Sequence, residues 1–73
     1  MKHSAICLKL AQRLRRLRRQ KGLTQEEAAG LAGMDVRHYQ KFESLKRPQS
    51  PRLETLEKLA KAVKTKPSKL IAF

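Results

Sequence analysis

Two long stretches of the chain place apolar residues three or four positions apart, which is typical of one face of an amphipathic helix. The first stretch, residues 4–21, has Leu10, Leu14 and Leu17 on this face. The second, residues 53–63, has Leu56, Leu59, Ala60 and Val63. Gly22 follows the first stretch, at a C-cap position where a left-handed residue can end a helix. The pattern therefore predicts one long helix in each half of the chain.

Between these stretches lie two shorter ones whose ends are marked by capping residues. Glu27 follows Thr24 by three positions, which is the spacing of a capping box. Gly33 suits a turn that needs positive φ, and Asp35 is a second N-cap residue two positions later. The pattern predicts two short helices joined by a tight turn, over residues 25–32 and 36–44.

The rest of the chain is predicted to form a loop and a last turn of helix. Residues 45–52 contain two prolines, which favour irregular structure. Pro67 is tolerated at the first position of a helix, so a short helix is expected to open there. Five helices and no credible strand predict one all-α domain over residues 1–73, with residues 1–7 as a frayed end.

The charge of the chain is strongly positive and unevenly distributed. Eighteen Lys and Arg against six Asp and Glu give a formal net charge of +12. Residues 1–24 contain no acid, and residues 45–73 are also basic, whereas acids outnumber bases in residues 25–44. Such an imbalance favours a polyanionic partner, above all nucleic acid. The two short helices of residues 25–44 are nearly neutral and lie between basic segments. This arrangement suits a helix pair that contacts bases while its flanks bind phosphates.

The sequence offers little support for catalytic, metal-binding or membrane-spanning chemistry. Cys7 is the only cysteine, which excludes an internal disulfide and fits a reducing compartment. His3 and His38 have no ligand partners at metal spacing, and the paired acids are typical of helix surfaces. No apolar run approaches the roughly 18–20 residues of a membrane span. We expect no enzyme, no metal or other cofactor, no small-molecule ligand and no membrane.

Residues 25–44 carry a further pattern at fixed positions. Counted from Gln25, the fifth residue is small, the ninth is glycine, and the tenth, fifteenth and eighteenth are hydrophobic: Ala29, Gly33, Met34, Tyr39 and Phe42. The motif resembles the phage-repressor and Cro-like helix-turn-helix family of bacterial regulators, known as the xenobiotic-response-element type. The resemblance covers about residues 8–73 and implies a compact five-helix, lambda-repressor-like domain. Leu45 stands where that family commonly has glycine, so the chain after Ser44 is expected to take another path.

The resemblance implies a sequence-specific, double-stranded DNA-binding transcriptional regulator whose recognition helix, residues 36–44, enters the major groove. The matching positions of the family reach base edges, which implies base readout by Val36, Arg37, Gln40 and Lys41. Their chemistry fits, because Arg and Lys donate to guanine, Gln pairs with adenine and Val contacts a thymine methyl. The alternative is an ordinary solvated helix face.

The resemblance also implies contacts that position the recognition helix. Phosphate contacts are expected at the start of the second helix, at the end of the recognition helix and in the loop after it: Thr24, Gln25, Ser44, Lys46 and Arg47. The alternative for Thr24 and Gln25 is a helix cap and nothing else. The family often pairs an arginine at the place of Arg18 with the glutamate matching Glu43, so an ion pair between these two residues is expected.

A single short helix reads only a few base pairs, so a homodimer on a palindromic operator is expected. Its interface would use the C-terminal apolar end, Leu70, Ile71 and Phe73; alternatively, these residues only close the core. The resemblance implies a bacterial or phage-encoded protein located in the cytoplasm with the nucleoid. An antitoxin-type regulator or a coactivator-like protein-interaction module could use the same fold. A membrane-active or RNA-binding cationic peptide is disfavoured, because it would need no capped and turned core.

Overall fold

The structure, a computed structural model, describes residues 5–73. This part of the chain forms five helices: α1 (Ala5–Gln20), α2 (Gln25–Leu31), α3 (Val36–Glu43), α4 (Leu53–Ala62) and α5 (Pro67–Leu70). No strand occurs among these residues, so the predicted all-α fold is confirmed. Of the segment 1–7, residues 1–4 lie outside the described part and residues 5–7 form the first turn of α1.

The two central helices begin at the predicted caps. The backbone N–H of Glu27 donates to Thr24 Oγ1 over 3.1 Å, and the Thr24 N–H donates to Glu27 Oε1 over 2.8 Å, which completes the capping box. Gly33 has a φ of 70° in the turn. The Asp35 carboxylate then accepts from the backbone N–H of Arg37 over 3.0 Å. Local sequence therefore fixes where α2 ends and α3 begins.

One apolar cluster draws side chains from all five helices. Leu14, Ala28, Tyr39, Leu59 and Leu70 are fully buried in it, one from each helix in chain order. Because the residues of α2 that face the cluster are alanines, this short helix can pack closely against both α3 and α4. The cluster therefore holds the helix-turn-helix pair against the other three helices.

The C-terminal end divides into a buried and an exposed part. Leu70 is fully buried, whereas Ile71 and Phe73 are 44% and 53% exposed. Leu70 is therefore not available for the expected contact between protomers, because its side chain closes the core of its own chain. The large apolar side chains that stay exposed at this end are Ile71 and Phe73.

The chain leaves α3 without a left-handed residue. Ser44 is the C-cap in an extended conformation, with φ −68° and ψ 125°. Lys64 is the only non-glycine residue with positive φ in residues 5–73, so Leu45 avoids that conformation, as its branched side chain predicts. The Ser44 hydroxyl accepts from the backbone N–H of Arg47 over 3.0 Å and holds the start of the loop.

Candidate nucleic-acid interface

The outward face of α3 carries three exposed polar side chains. Arg37, Gln40 and Lys41 are exposed, while Tyr39 and Phe42 lie in the core on the opposite face. The side chains of Arg37 and Lys41 make no hydrogen bond or ion pair within residues 5–73. This face therefore presents two free cations and an amide to a partner.

Val36 differs from the other expected base-reading residues. It is half-buried and packs against the apolar cluster. The difference follows from its place at the first residue of α3, where the helix emerges from the turn beside the core. Part of the Val36 side chain is thus committed to packing, and only the remainder is open to solvent.

Arg18 and Glu43 form the ion pair that the resemblance implies, and they tie α1 to α3. Arg18 Nε donates to Glu43 Oε2 over 2.7 Å, and Nη2 donates to Glu43 Oε1 over 3.1 Å. Arg18 Nη1 donates to the carbonyl oxygen of Leu23 over 2.8 Å. Side-chain exposure is 10% for Arg18 and 1% for Glu43. A bidentate pair of this kind fixes geometry as well as charge.

Two further side chains donate to the Glu43 carboxylate. Tyr39 Oη donates to Glu43 Oε2, and Gln25 Nε2 donates to Glu43 Oε1 over 3.0 Å. Gln25 Oε1 in turn accepts from Gln40 Nε2 over 3.0 Å. A continuous polar network thus runs from the buried ion pair to an exposed side chain of α3. Sequence reasoning missed the link between Gln25 and Gln40, which lie 15 positions apart.

The network shifts the pKa values of its members. Burial alone would raise the pKa of Glu43, but the hydrogen bonds from Arg18, Tyr39 and Gln25 outweigh it and hold the pKa below its ordinary value. The hydrogen bond to Glu43 raises the pKa of Arg18 despite its burial. Burial, followed by the hydrogen bond to Glu43, raises the pKa of Tyr39. At neutral pH the network is therefore an arginine–glutamate ion pair with a neutral tyrosine.

The expected phosphate-contacting residues lie at both ends of the helix pair. Thr24 is exposed, but its hydroxyl is already an acceptor in the capping box. Gln25 is half-buried and both ends of its amide are engaged within the network. Lys46 and Arg47 are exposed directly after α3, and their side chains have no partner in the described part of the chain.

A surface groove separates α1 from the first turns of α2 and α3. Arg15 and Arg19 line it from α1, while Gln25, Val36 and Gln40 line it from the other side. Sequence reasoning did not single out these two arginines. Their signal was the four-residue spacing, which places both on one flank of the helix beside Arg18.

The described residues contain no cluster of His, Cys, Asp and Glu that could hold a metal ion. Cys7 is a free, half-buried thiol of α1. None of the helices in residues 5–73 is long and apolar enough to cross a membrane.

Comparisons with known proteins agree with this geometry. A family model described as helix-turn-helix, of the Cro/C1 type, matches residues 14–70. The restriction-modification controller protein C.AhdI from Aeromonas hydrophila is 37% identical, with 92% of this chain and 98% of that chain covered and a TM-score of 0.81. The controller protein C.Esp1396I shares the fold at 20% identity, with 96% and 88% covered and a TM-score of 0.82. A comparison with curated proteins finds no match.

Proposed function

Because the chain belongs to the Cro/C1-type helix-turn-helix family and is a non-enzymatic, DNA-binding transcriptional regulator, we propose that α3 reads base edges in the major groove of double-stranded DNA. The observation that carries the proposal is the outward face of α3. Arg37 and Lys41 point away from the core with no partner among residues 5–73. A protein that buries one face of a short helix and leaves two cations free on the other suits a polyanionic groove.

Each of the three exposed polar side chains on the outward face of α3 has a base edge that suits it. Arg37 and Lys41 can donate to guanine O6 and N7, and Gln40 can pair with adenine. The contact between Gln40 and Gln25 restrains the amide before DNA arrives, which reduces the entropy lost on binding. Val36 is half-buried, and the part of its side chain that remains open to solvent can contact a thymine methyl.

Phosphate contacts on either side of α3 would set its position in the groove. Lys46 and Arg47 supply free cations at its C-terminal end. Thr24, Gln25 and Ser44 would act through the atoms that their internal hydrogen bonds leave open. Such contacts add affinity and orientation but carry no sequence information directly.

We further propose that two protomers bind a palindromic operator together. Ile71 and Phe73 form an exposed apolar end on the described chain, and apolar surface of this kind favours association with a second copy. A symmetric pair would place two recognition helices on half-sites about one helical turn apart.

The similarity to C.AhdI supports one further step, that the regulated genes encode a restriction-modification system. The DNA sequence that the protein selects from random duplexes should then occur upstream of such genes in the genome that encodes it. A selected sequence found only beside unrelated genes would contradict this step and leave the DNA-binding proposal intact.

Selection of binding sites from random duplexes tests the proposal directly. The experiment would be run at about 0.15 M salt, so that nonspecific phosphate binding does not dominate. We expect a palindromic consensus. Enrichment of a single half-site would contradict the dimer, and no enrichment at all would contradict base readout and favour a protein-interaction module.

A further inference from the structure

The fold engages one of the three arginines that line the groove beside α3. All three of the Arg18 donor nitrogens bind Glu43 or the Leu23 carbonyl. Arg15 and Arg19 make no hydrogen bond or ion pair within residues 5–73. The guanidinium donors of Arg15 and Arg19 are therefore not engaged by any group of the described chain.

The two free arginines border the element that is proposed to read DNA. Across the groove from them lie Gln25 and Gln40, the exposed end of the polar network. Among residues 5–73, Glu26 is the only acid that lines the groove, and α1 itself carries none. The groove is thus a positive surface continuous with the outer face of α3.

We propose that Arg15 and Arg19 bind backbone phosphates of the same duplex, beside the base pairs that α3 reads. Helix α1 would then be a second DNA-contacting element, separate from the helix-turn-helix. The inference rests on the proposed function, because it takes the position of the duplex from α3. Guanidinium groups bind phosphate oxygens in a planar, two-point geometry, and they lose little hydration on doing so.

The salt dependence of binding tests the inference. Each phosphate neutralised on a duplex contributes a slope of about −0.9 to the logarithm of affinity against the logarithm of salt concentration. The double variant Arg15→Gln/Arg19→Gln should therefore bind the selected duplex with a slope about 1.8 shallower. With 1 M salt as the reference, where this electrostatic contribution vanishes, a slope difference of about 1.8 corresponds to roughly 30-fold weaker binding at about 0.15 M salt.

A second pair of variants keeps the test decisive if the first is misfolded. Arg15→Lys/Arg19→Lys retains both charges and should keep most of the wild-type slope. Glu26→Gln removes a negative charge that repels the phosphates from the groove, and this variant should bind DNA more strongly. Thermal unfolding of each variant, followed by circular dichroism, would show whether it is folded.

The matched control removes two charges elsewhere. Lys61 and Lys66 are exposed beside the junction of α4 and α5, on a surface that includes no residue of α3. Lys61→Gln/Lys66→Gln should change the slope by much less. An equal change in both double variants would mean that only net charge matters, and an unchanged slope in the arginine variant would mean that no phosphate is bound there. Either result would overturn the inference.

Neutral methylphosphonate groups, placed one at a time in the duplex, would locate the contact. Wild-type protein should lose affinity at one or two positions where the arginine double variant loses none. If wild-type protein instead prefers no sequence over random duplex, the proposed readout by α3 fails. The slopes measured on random duplex would still decide the role of Arg15 and Arg19.

Discussion

Glu43 is the residue on which the positions of α1, α2 and α3 converge. Its carboxylate accepts two hydrogen bonds from Arg18 of α1 and one each from Gln25 of α2 and Tyr39 of α3. Removing one partner of a buried pair leaves the other charged and poorly solvated, which is more damaging than losing the pair as a whole. Glu43 is therefore expected to matter for stability rather than for DNA contact.

Glu43→Gln tests this role at nearly constant volume. The loss should be on the order of 3 kcal/mol at pH 7, which lowers the melting temperature by more than about 10 °C in a domain of this size. Glu57→Gln, at an exposed site of α4, is the control and should change stability by less than about 0.5 kcal/mol. Unchanged melting of the Glu43 variant would contradict the role.

The same residue gives the protein a predictable dependence on acid. The pKa of Glu43 in the folded state lies below its ordinary value of 4.5, so the unfolded chain takes up the proton first. The stability that Glu43 contributes is thus present above pH 4.5 and is lost as pH falls through the folded-state pKa. As the pH is lowered from 6, the melting temperature should fall less steeply for Glu43→Gln than for wild type. An equally steep fall for both proteins would contradict this prediction.

Gln25 is expected to act on DNA through Gln40. Gln25→Ala removes both the donor to Glu43 and the acceptor for Gln40, so the amide of Gln40 is no longer restrained. We expect discrimination at the base pair read by Gln40 to weaken, in the range of about 1–3 kcal/mol, with Glu43 still paired to Arg18. Competition binding with single-base variants of the selected duplex measures this loss. A loss of equal size on every duplex, with discrimination at that base pair unchanged, would mean that Gln25 contributes only its phosphate contact and does not act through Gln40.

At the scale of elements, both ends of α2 and the start of α3 could be predicted because they depend on neighbouring residues. The capping box, Gly33 and the Asp35 cap each act within a few positions. The burial of Leu70 and the partial burial of Val36 were not predictable, since both depend on how helices distant in sequence cross. The groove that Arg15 shares with Gln40 depends on the same packing.

Substitution by alanine is expected to have opposite effects at Gly30, inside a helix, and at Gly33, in the turn. Gly30 lies inside α2 and a methyl group added there meets no atom within 4 Å, so Gly30→Ala should stabilise the protein by about 0.5–1 kcal/mol. Gly33 has equal room but a φ of +70°, so Gly33→Ala should destabilise it by about 1 kcal/mol. Denaturant unfolding of both variants checks the pair. Shifts of the same sign would contradict this reading of the turn.

For the whole molecule, the charge distribution matches the arrangement of the helices. The basic flanks on either side of residues 25–44 become α1 with Arg15 and Arg19, and the loop with Lys46 and Arg47. Composition could predict a polyanionic partner, but not which cations border α3. That information came from the packing of α1 across the helix-turn-helix.

The exposed apolar end provides a prediction about assembly. Ile71→Ser/Phe73→Ser should shift the protein from dimer to monomer without unfolding it, because neither side chain belongs to the buried cluster. Light scattering over a range of concentrations measures the shift. Leu31→Ser, at an exposed site at the end of α2, is the control and should leave assembly unchanged. Equal masses for the wild type and the double variant would contradict an interface at this end.

The most direct test of base reading by α3 is the affinity of Arg37→Ala for the selected duplex and for its single-base variants. The Arg37 side chain has no partner in residues 5–73, and the cap uses only its backbone N–H, so the variant should fold normally. We predict weaker binding by about 1–3 kcal/mol, with preference lost at one or two base pairs and kept elsewhere. The same loss on every sequence, selected or random, would contradict base readout by this helix.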